Sequence, residues 1–251
     1  KMNKNAKFII IALIAILIIV LTSASNESKS NNKYNQNNLQ PKELAANFPL
    51  NNEQEDVGKK NQEIIKVKQL LQESISDIAI GDVDAKVKII EYASLSCSHC
   101  AIFSNNVFGK IKEEYIDTGK VRFIFRHFPL NSPAFVASAA SLCSYKQSNQ
   151  DVEKYYNLIK ALFKTQESWA FSKQFPEQLK QILRLNGLSS SSFEKCLANK
   201  DLENAILSQR FDASKYLKVS STPTFFVNGK SMIGAPNYNK MKNAIENALE
   251  N

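Results

Sequence analysis

An unbroken apolar run, Phe8 to Leu21, follows Lys1, Lys4 and Lys7 and gives way to Thr22, Ser23, Ala24 and Ser25. As a helix it would reach about 21 Å, short of the roughly 30 Å hydrocarbon core of a bilayer. A basic start, an apolar middle and a small-residue exit are the parts of a secretory signal peptide, expected over residues 1–24, with an uncleaved N-terminal anchor as the alternative. Either reading puts the rest of the chain outside the cytoplasm. Residues 25–60 read as a polar flexible linker, since the Asn, Ser, Gln and Lys of its first half can bury almost nothing. From Asn61 the apolar residues Ile64, Ile65, Val67, Leu70, Leu71, Ile75 and Ile78 recur at helical spacing and are expected to pack a helix onto the core. A strand is expected over Val87–Tyr92, a helix from Cys97 to about Asp117 stopped by Gly119, and a second strand over Val121–Phe125. Helical signals then dominate from about 132 to 217, with breaks at Pro176, Gly187 and Ser189–Ser192. Strands return at Thr224–Val227 and Ser231–Ile233 around the hairpin dipeptide Asn228-Gly229, and Asn239–Leu249 reads as a last amphipathic helix. The order is βαβ, a helical insertion at about 132–217, then ββα, in one α/β domain over 61–251.

Composition narrows the class. With 43% apolar residues among 251, the chain can bury a sizeable core, which excludes full-length disorder; 7 Gly exclude a collagen-like chain. The net charge of +8 invites a nucleic-acid reading, which the arginine content weakens. Arginine, whose guanidinium fork reads phosphate and guanine, occurs only at Arg122, Arg126, Arg184 and Arg210. No nucleic-acid partner is expected. The lysine excess is a solvated surface.

The chemistry sits at Cys97-Ser98-His99-Cys100, where a helix follows a strand. Two cysteines so spaced can close a small redox-active disulfide or supply half of a metal site. A closed zinc site needs two more ligands, and Cys143 and Cys196 stand apart while His99 and His127 are the chain's two histidines. No metal and no other cofactor are expected. Backbone N–H groups and the helix dipole favour a thiolate on Cys97, and His99 can carry positive charge or donate a hydrogen bond to it. A stabilised thiolate stabilises the reduced form and makes the disulfide the better oxidant.

The segment Glu91-Tyr92-Ala93-Ser94-Leu95-Ser96-Cys97-Ser98-His99-Cys100 resembles the active-site segment of the DsbA-like thiol–disulfide oxidoreductases of the bacterial cell envelope. A second landmark, Ser221-Thr222-Pro223-Thr224-Phe225-Phe226-Val227-Asn228-Gly229, is similar to the family's proline loop. The resemblance covers about Ile80 to the C-terminus. It implies a thioredoxin fold with an inserted helical domain, and a cis Pro223 facing the cysteine pair, with Thr222 lining the substrate groove. It also implies that Glu91 is a buried acid beneath the cysteines, able to relay the proton of Cys100; an ordinary strand-edge charge is the alternative. Ser98 stands where the best-known members carry proline, which bears on the redox potential. His127 reads as a structural strand-end residue.

Cys143 and Cys196 lie 53 residues apart in the insertion. Leftover cysteines in an oxidising compartment usually pair, and several DsbA-like proteins are similar here, with a second, non-catalytic disulfide; two buried free thiols are the alternative. The expected function is a periplasmic dithiol oxidase that gives its Cys97–Cys100 disulfide to reduced exported polypeptides and is reoxidised by a membrane partner. An oligomeric disulfide isomerase or reductase of the same fold, and an envelope metal-binding module, are the alternatives. The heptad positions Val57, Ile64, Leu71 and Ile78 alternate with Lys60 and Ser74, too polar for a coiled coil, so a monomer is expected.

Overall fold

The computed structural model describes residues 52–251, with side chains from residue 58. The expected signal segment, and the expected linker up to residue 51, lie outside the described residues. Among the described residues five strands form one mixed sheet in the order β1-β3-β2-β4-β5: β1, Ala79–Ile80; β2, Val87–Ala93; β3, Val121–His127; β4, Thr224–Val227; β5, Lys230–Ile233. β2 and β3 run parallel, and the pairs β1–β3, β2–β4 and β4–β5 are antiparallel.

Helix α1, Asn52–Leu70, starts inside the stretch read as linker. Its first residues, Asn-Glu-Gln-Glu-Asp-Val-Gly-Lys-Lys, lack an apolar stripe but include several good helix formers. The helix also ends earlier than the apolar spacing suggests. Asp77 accepts from Ser74 N at 2.8 Å and Ser74 Oγ from Ser76 N at 3.3 Å, so short polar side chains take over the backbone donors and turn the chain. Ile75 is left fully exposed, and Ile64 and Ile65 also face outward, at 46% and 54% exposure. Their expected packing onto the core is therefore corrected, whereas Val67, Leu70 and Leu71 are half-buried and Ile78 is buried in the core as expected.

The crossover from β2 to β3 is α2, residues 98–116, interrupted by two π-helical turns, Ser104–Phe108 and Lys112–Ile116. It stops where Gly119 adopts φ +75°, a left-handed position that glycine takes without strain. The insertion holds α3, Ser132–Gln147; α4, Val152–Lys164; α5, Gln166–Trp169; α6, Phe175–Leu185; α7, Ser190–Leu197; and α8, Lys200–Tyr216. Two of its expected breaks are helix starts instead. Pro176 stands in the first turn of α6, where its missing N–H costs nothing. Ser189 caps α7 by accepting from Ser192 N at 3.2 Å. Gly187, at φ +88°, is a true break. Asn228 and Gly229, at φ 44° and 82°, turn the β4–β5 hairpin, and α9, Tyr238–Glu250, closes the fold.

The larger core lies between the sheet and α2, α9 and the insertion, built on Ile89, Phe103, Phe123, Leu162, Trp169 and Phe225. The other sheet face buries Ile90, Tyr92, Ile124, Phe128, Val219 and Phe226. At its margin Arg126, on β3, bonds Asp77 at 2.6 Å, with only 4% and 2% of the two side chains exposed. The same guanidinium donates to Tyr92 Oη at 2.8 Å, to Gln72 O at 2.7 Å and to Leu70 O. It therefore pins the end of α1 to the sheet. Removing one partner of a buried pair strands the other charge. Asp77→Ala is expected to cost about 3–5 kcal/mol, whereas Glu73→Ala, which breaks the more exposed Arg122–Glu73 pair, should cost about 1 kcal/mol. Urea midpoints at pH 7 test this; equal losses would contradict it.

Candidate active site

β2 ends at Ala93 and the chain must turn before α2 begins. Cys97 N donates to Ser94 O at 3.0 Å, and Ser94 Oγ accepts from Ser96 N at 3.4 Å and from Leu130 N at 3.3 Å. This buried serine turn delivers Cys97 to the N-cap of α2, in extended conformation at φ −86° and ψ 120°. Cys97 is half-buried and Cys100, one turn on, is fully buried; both carry free thiols.

The second wall comes from the segment before β4. β4 pairs with β2 with Thr224 opposite Tyr92, so the residues just ahead of β4 reach the loop just after β2. The Thr222–Pro223 peptide there is cis. The Cys97 thiol donates to Thr222 O at 3.2 Å. Thr222 Oγ1 is buried without a hydrogen-bond partner among the described residues, which leaves that hydroxyl as a donor for the thiolate.

The two thiols ionise very differently. Cys97 is pulled down to about 5, chiefly by a hydrogen bond from Cys100, with the Thr222 side chain and the backbone N–H groups of Cys100 and His99 adding to it against the cost of burial. Cys100 is pushed well above the usual thiol range by burial, by its bond to Cys97 and by Glu91. Glu91, on β2, is buried and held well above the carboxylate range by desolvation first and by Cys97 second. Its Oε1 has no partner among the described residues. It borders a cavity of about 10 Å³, shared with Ser104, Tyr156 and Lys160, which is about the room one water needs.

The fold thus brings Cys97, Cys100, Glu91, Thr222 and Pro223 together. His99 contributes its backbone N–H, while its side chain is exposed on the first turn of α2. His127 lies outside the cluster. It is buried, with Nε2 3.0 Å from Tyr155 Oη and 3.3 Å from Ser141 Oγ, and burial drives it down to about 3, so it is neutral at physiological pH. Cys143, on α3, and Cys196, on α7, are joined, with Cα atoms 5.8 Å apart. Among the described residues no group of three or more His, Cys, Asp or Glu side chains could hold a metal ion. Sequence reasoning missed Gln166 on α5, whose carboxamide donates to Leu95 O at 2.8 Å and Cys97 O at 3.0 Å. Nothing local to Gln166 signals a partner some 70 residues away.

Residues 73–247 match a family described as thioredoxin. The crystal structure of Wolbachia pipientis alpha-DsbA1 is 33% identical to the chain, superposes with a TM-score of 0.67, and covers 72% of this chain and 95% of that one. A Bacillus cereus relative bearing the name disulfide bond formation protein D is 30% identical over 174 residues, 68% of this chain and 78% of the relative. A Rickettsia bellii relative bearing the name of a protein-disulfide oxidoreductase is 29% identical over 177 residues, 70% of this chain. The chain spans 65% of that relative's length.

Ionisation of Cys97 has a consequence for stability. Its folded value, about 5, lies below the roughly 8.5 of a free cysteine. The reduced protein therefore gains stability that is fully present above the unfolded value and lost as pH falls through the folded one. The alkylation rate of Cys97 against pH, followed by peptide mass, should turn over near pH 5. The stability of the reduced form relative to the oxidised form should decline as pH drops from about 8.5 to 5. A turnover near 8.5 would contradict the site as described.

Proposed function

This chain belongs to the thioredoxin family, among its DsbA-like proteins, and from that premise we propose that it is a protein dithiol oxidase acting outside the cytoplasm. The observation that carries the reading is a half-buried Cys97 at the N-cap of α2 with a fully buried Cys100 one helical turn on, an asymmetry that lowers the first thiol and raises the second. In the oxidised enzyme Cys97 and Cys100 share a disulfide. A client thiolate attacks Cys97 Sγ, the more accessible sulfur, forming a client–Cys97 disulfide and breaking the Cys97–Cys100 bond. The electron pair leaves on Cys100, which takes up a proton because burial disfavours its thiolate; Glu91, whose carboxyl burial holds toward the protonated form, is the nearby donor we assign. A second client thiolate then attacks the client's own sulfur in the mixed disulfide. Cys97 departs as a stabilised thiolate and is a good leaving group for that reason. The client is oxidised by two electrons and the enzyme is left as the dithiol. Reoxidation needs an electron acceptor, for which we propose a membrane partner; reduced exported polypeptides are the proposed clients.

Pro223 and Thr222 take the place of the client-facing wall, since Thr222 O already accepts a hydrogen bond from Cys97. Cys143–Cys196 is assigned a structural role: closing a loop of this length stabilises by roughly 4 kcal/mol on the chain-entropy model. The His99 ring is assigned a supporting electrostatic role.

An isomerase must hold a misfolded client while its bonds exchange, whereas this chain is proposed to act as a monomer. The expected result is fast oxidation of a reduced, unfolded client, slow recovery of a scrambled one, and loss of both with Cys97→Ser. Light scattering should give the monomer mass. Efficient unscrambling by a stable oligomer would overturn the oxidase assignment in favour of an isomerase.

A further inference from the structure

Gln166 opens α5 in the helical insertion and is almost fully buried. Its carboxamide nitrogen carries two N–H donors, and both find carbonyls of the turn that presents the nucleophile, Leu95 O at 2.8 Å and Cys97 O at 3.0 Å. The residue is itself held firmly. Ala170 N donates to Gln166 O at 2.8 Å, and three residues on from Gln166 the fully buried Trp169 donates its indole N–H to Leu162 O at 3.0 Å. A rigid piece of the insertion thus grips the backbone on which Cys97 sits.

We propose that Gln166 is a positioning residue that sets the ionisation of Cys97 from the insertion. Two physical effects converge on the sulfur. The Cys97 carbonyl belongs to the same residue as the thiolate, and its partial negative charge opposes ionisation. A donor on that oxygen, added to the helical bond from Ala101 N at 3.1 Å, offsets part of it. The bond to Leu95 O also fixes the turn, so that the N–H groups of His99 and Cys100 stay aimed at Cys97 Sγ. The inference rests on the redox reading of the cysteine pair only in taking the Cys97 thiolate as the working state.

Gln166→Met removes both donors at similar volume, and Gln166→Glu sets a carboxylate against two carbonyls and adds a negative charge. The pH midpoint of Cys97 alkylation, followed by peptide mass in the full chain, is compared with the melting temperature of the same folded protein. Leu179→Ala, a cavity in the fully buried part of α6, serves as the control for general loosening of the insertion. Gln166→Met should raise the midpoint by about half a pH unit, a threefold loss of thiolate relative to thiol. Gln166→Glu should raise it further, and Leu179→Ala should lower the melting temperature while leaving the midpoint in place. A midpoint unmoved in both Gln166 variants, or moved equally by Leu179→Ala, overturns the proposal. An ordinary cysteine midpoint in the unaltered protein would instead sink the redox reading itself, so the two failures are distinguishable.

Discussion

A negative sulfur in a half-buried position is costly unless donors surround it, and much of this fold can be understood as the assembly of those donors around Cys97. The thiol of Cys100, the Thr222 hydroxyl and the first N–H groups of α2 all contribute. They come from distant parts of the chain. Cys97 and Thr222 stand 125 residues apart, and the sheet order is what joins them. With β2 central and β4 antiparallel beside it, the end of one strand and the start of the other lie at the same edge of the sheet. The parallel β2–β3 pair requires a helical crossover, and that helix begins at the cysteine pair.

The surroundings of the site divide into a wet side and a dry side. Cys97 faces outward at the mouth of α2, whereas Cys100 and Glu91 are sealed beneath it among Phe103, Phe123 and Phe125. Burial raises both of the sealed groups, so in the reduced pair the protonated forms are favoured at Cys100 and Glu91 while charge is favoured on Cys97 above them. The same separation distinguishes nucleophile from resolving thiol without any difference in intrinsic chemistry. Remote features hold the frame that maintains it: Arg126 ties the end of α1 to β3, and Cys143–Cys196 ties α3 to α7.

What the sequence made legible was local. The Cys97-Ser98-His99-Cys100 spacing at a strand-to-helix junction, the Asn228-Gly229 hairpin and the βαβ order are each written within a few consecutive residues. The proline loop was legible through resemblance, since no property of Thr222-Pro223 taken alone says which cysteine it faces. Apolar periodicity misled where structure rests on something else. The start of α1 has no apolar stripe, so it read as linker. Ile75 fits a helical face yet stays exposed, because the helix has ended and Ser74 and Asp77 turn the chain with side-chain hydrogen bonds, and Ile64 and Ile65 lie within the helix but face outward. Pro176 and Ser189 look like interruptions in a list of residues and are starts once the cap geometry is known. Gln166 and the Arg126–Asp77 pair were invisible for a different reason: their partners are 49 to 71 residues away, and side-chain contacts at that separation leave no mark on neighbouring positions.

If donors around Cys97 set the chemistry, the dithiol is stabilised at neutral pH relative to a pair with ordinary thiols. A value near 5 against 8.5 corresponds to at most about a hundredfold at pH 7, or roughly 60 mV, before solvent screening at a half-buried sulfur reduces it. The direct test is the equilibrium of the Cys97–Cys100 pair with glutathione at pH 7, read by mass after acid quenching. The account predicts a pair a few tens of millivolts more oxidising than a reducing thioredoxin, at roughly −240 to −210 mV. A potential near −270 mV, that of a reducing thioredoxin, would contradict it.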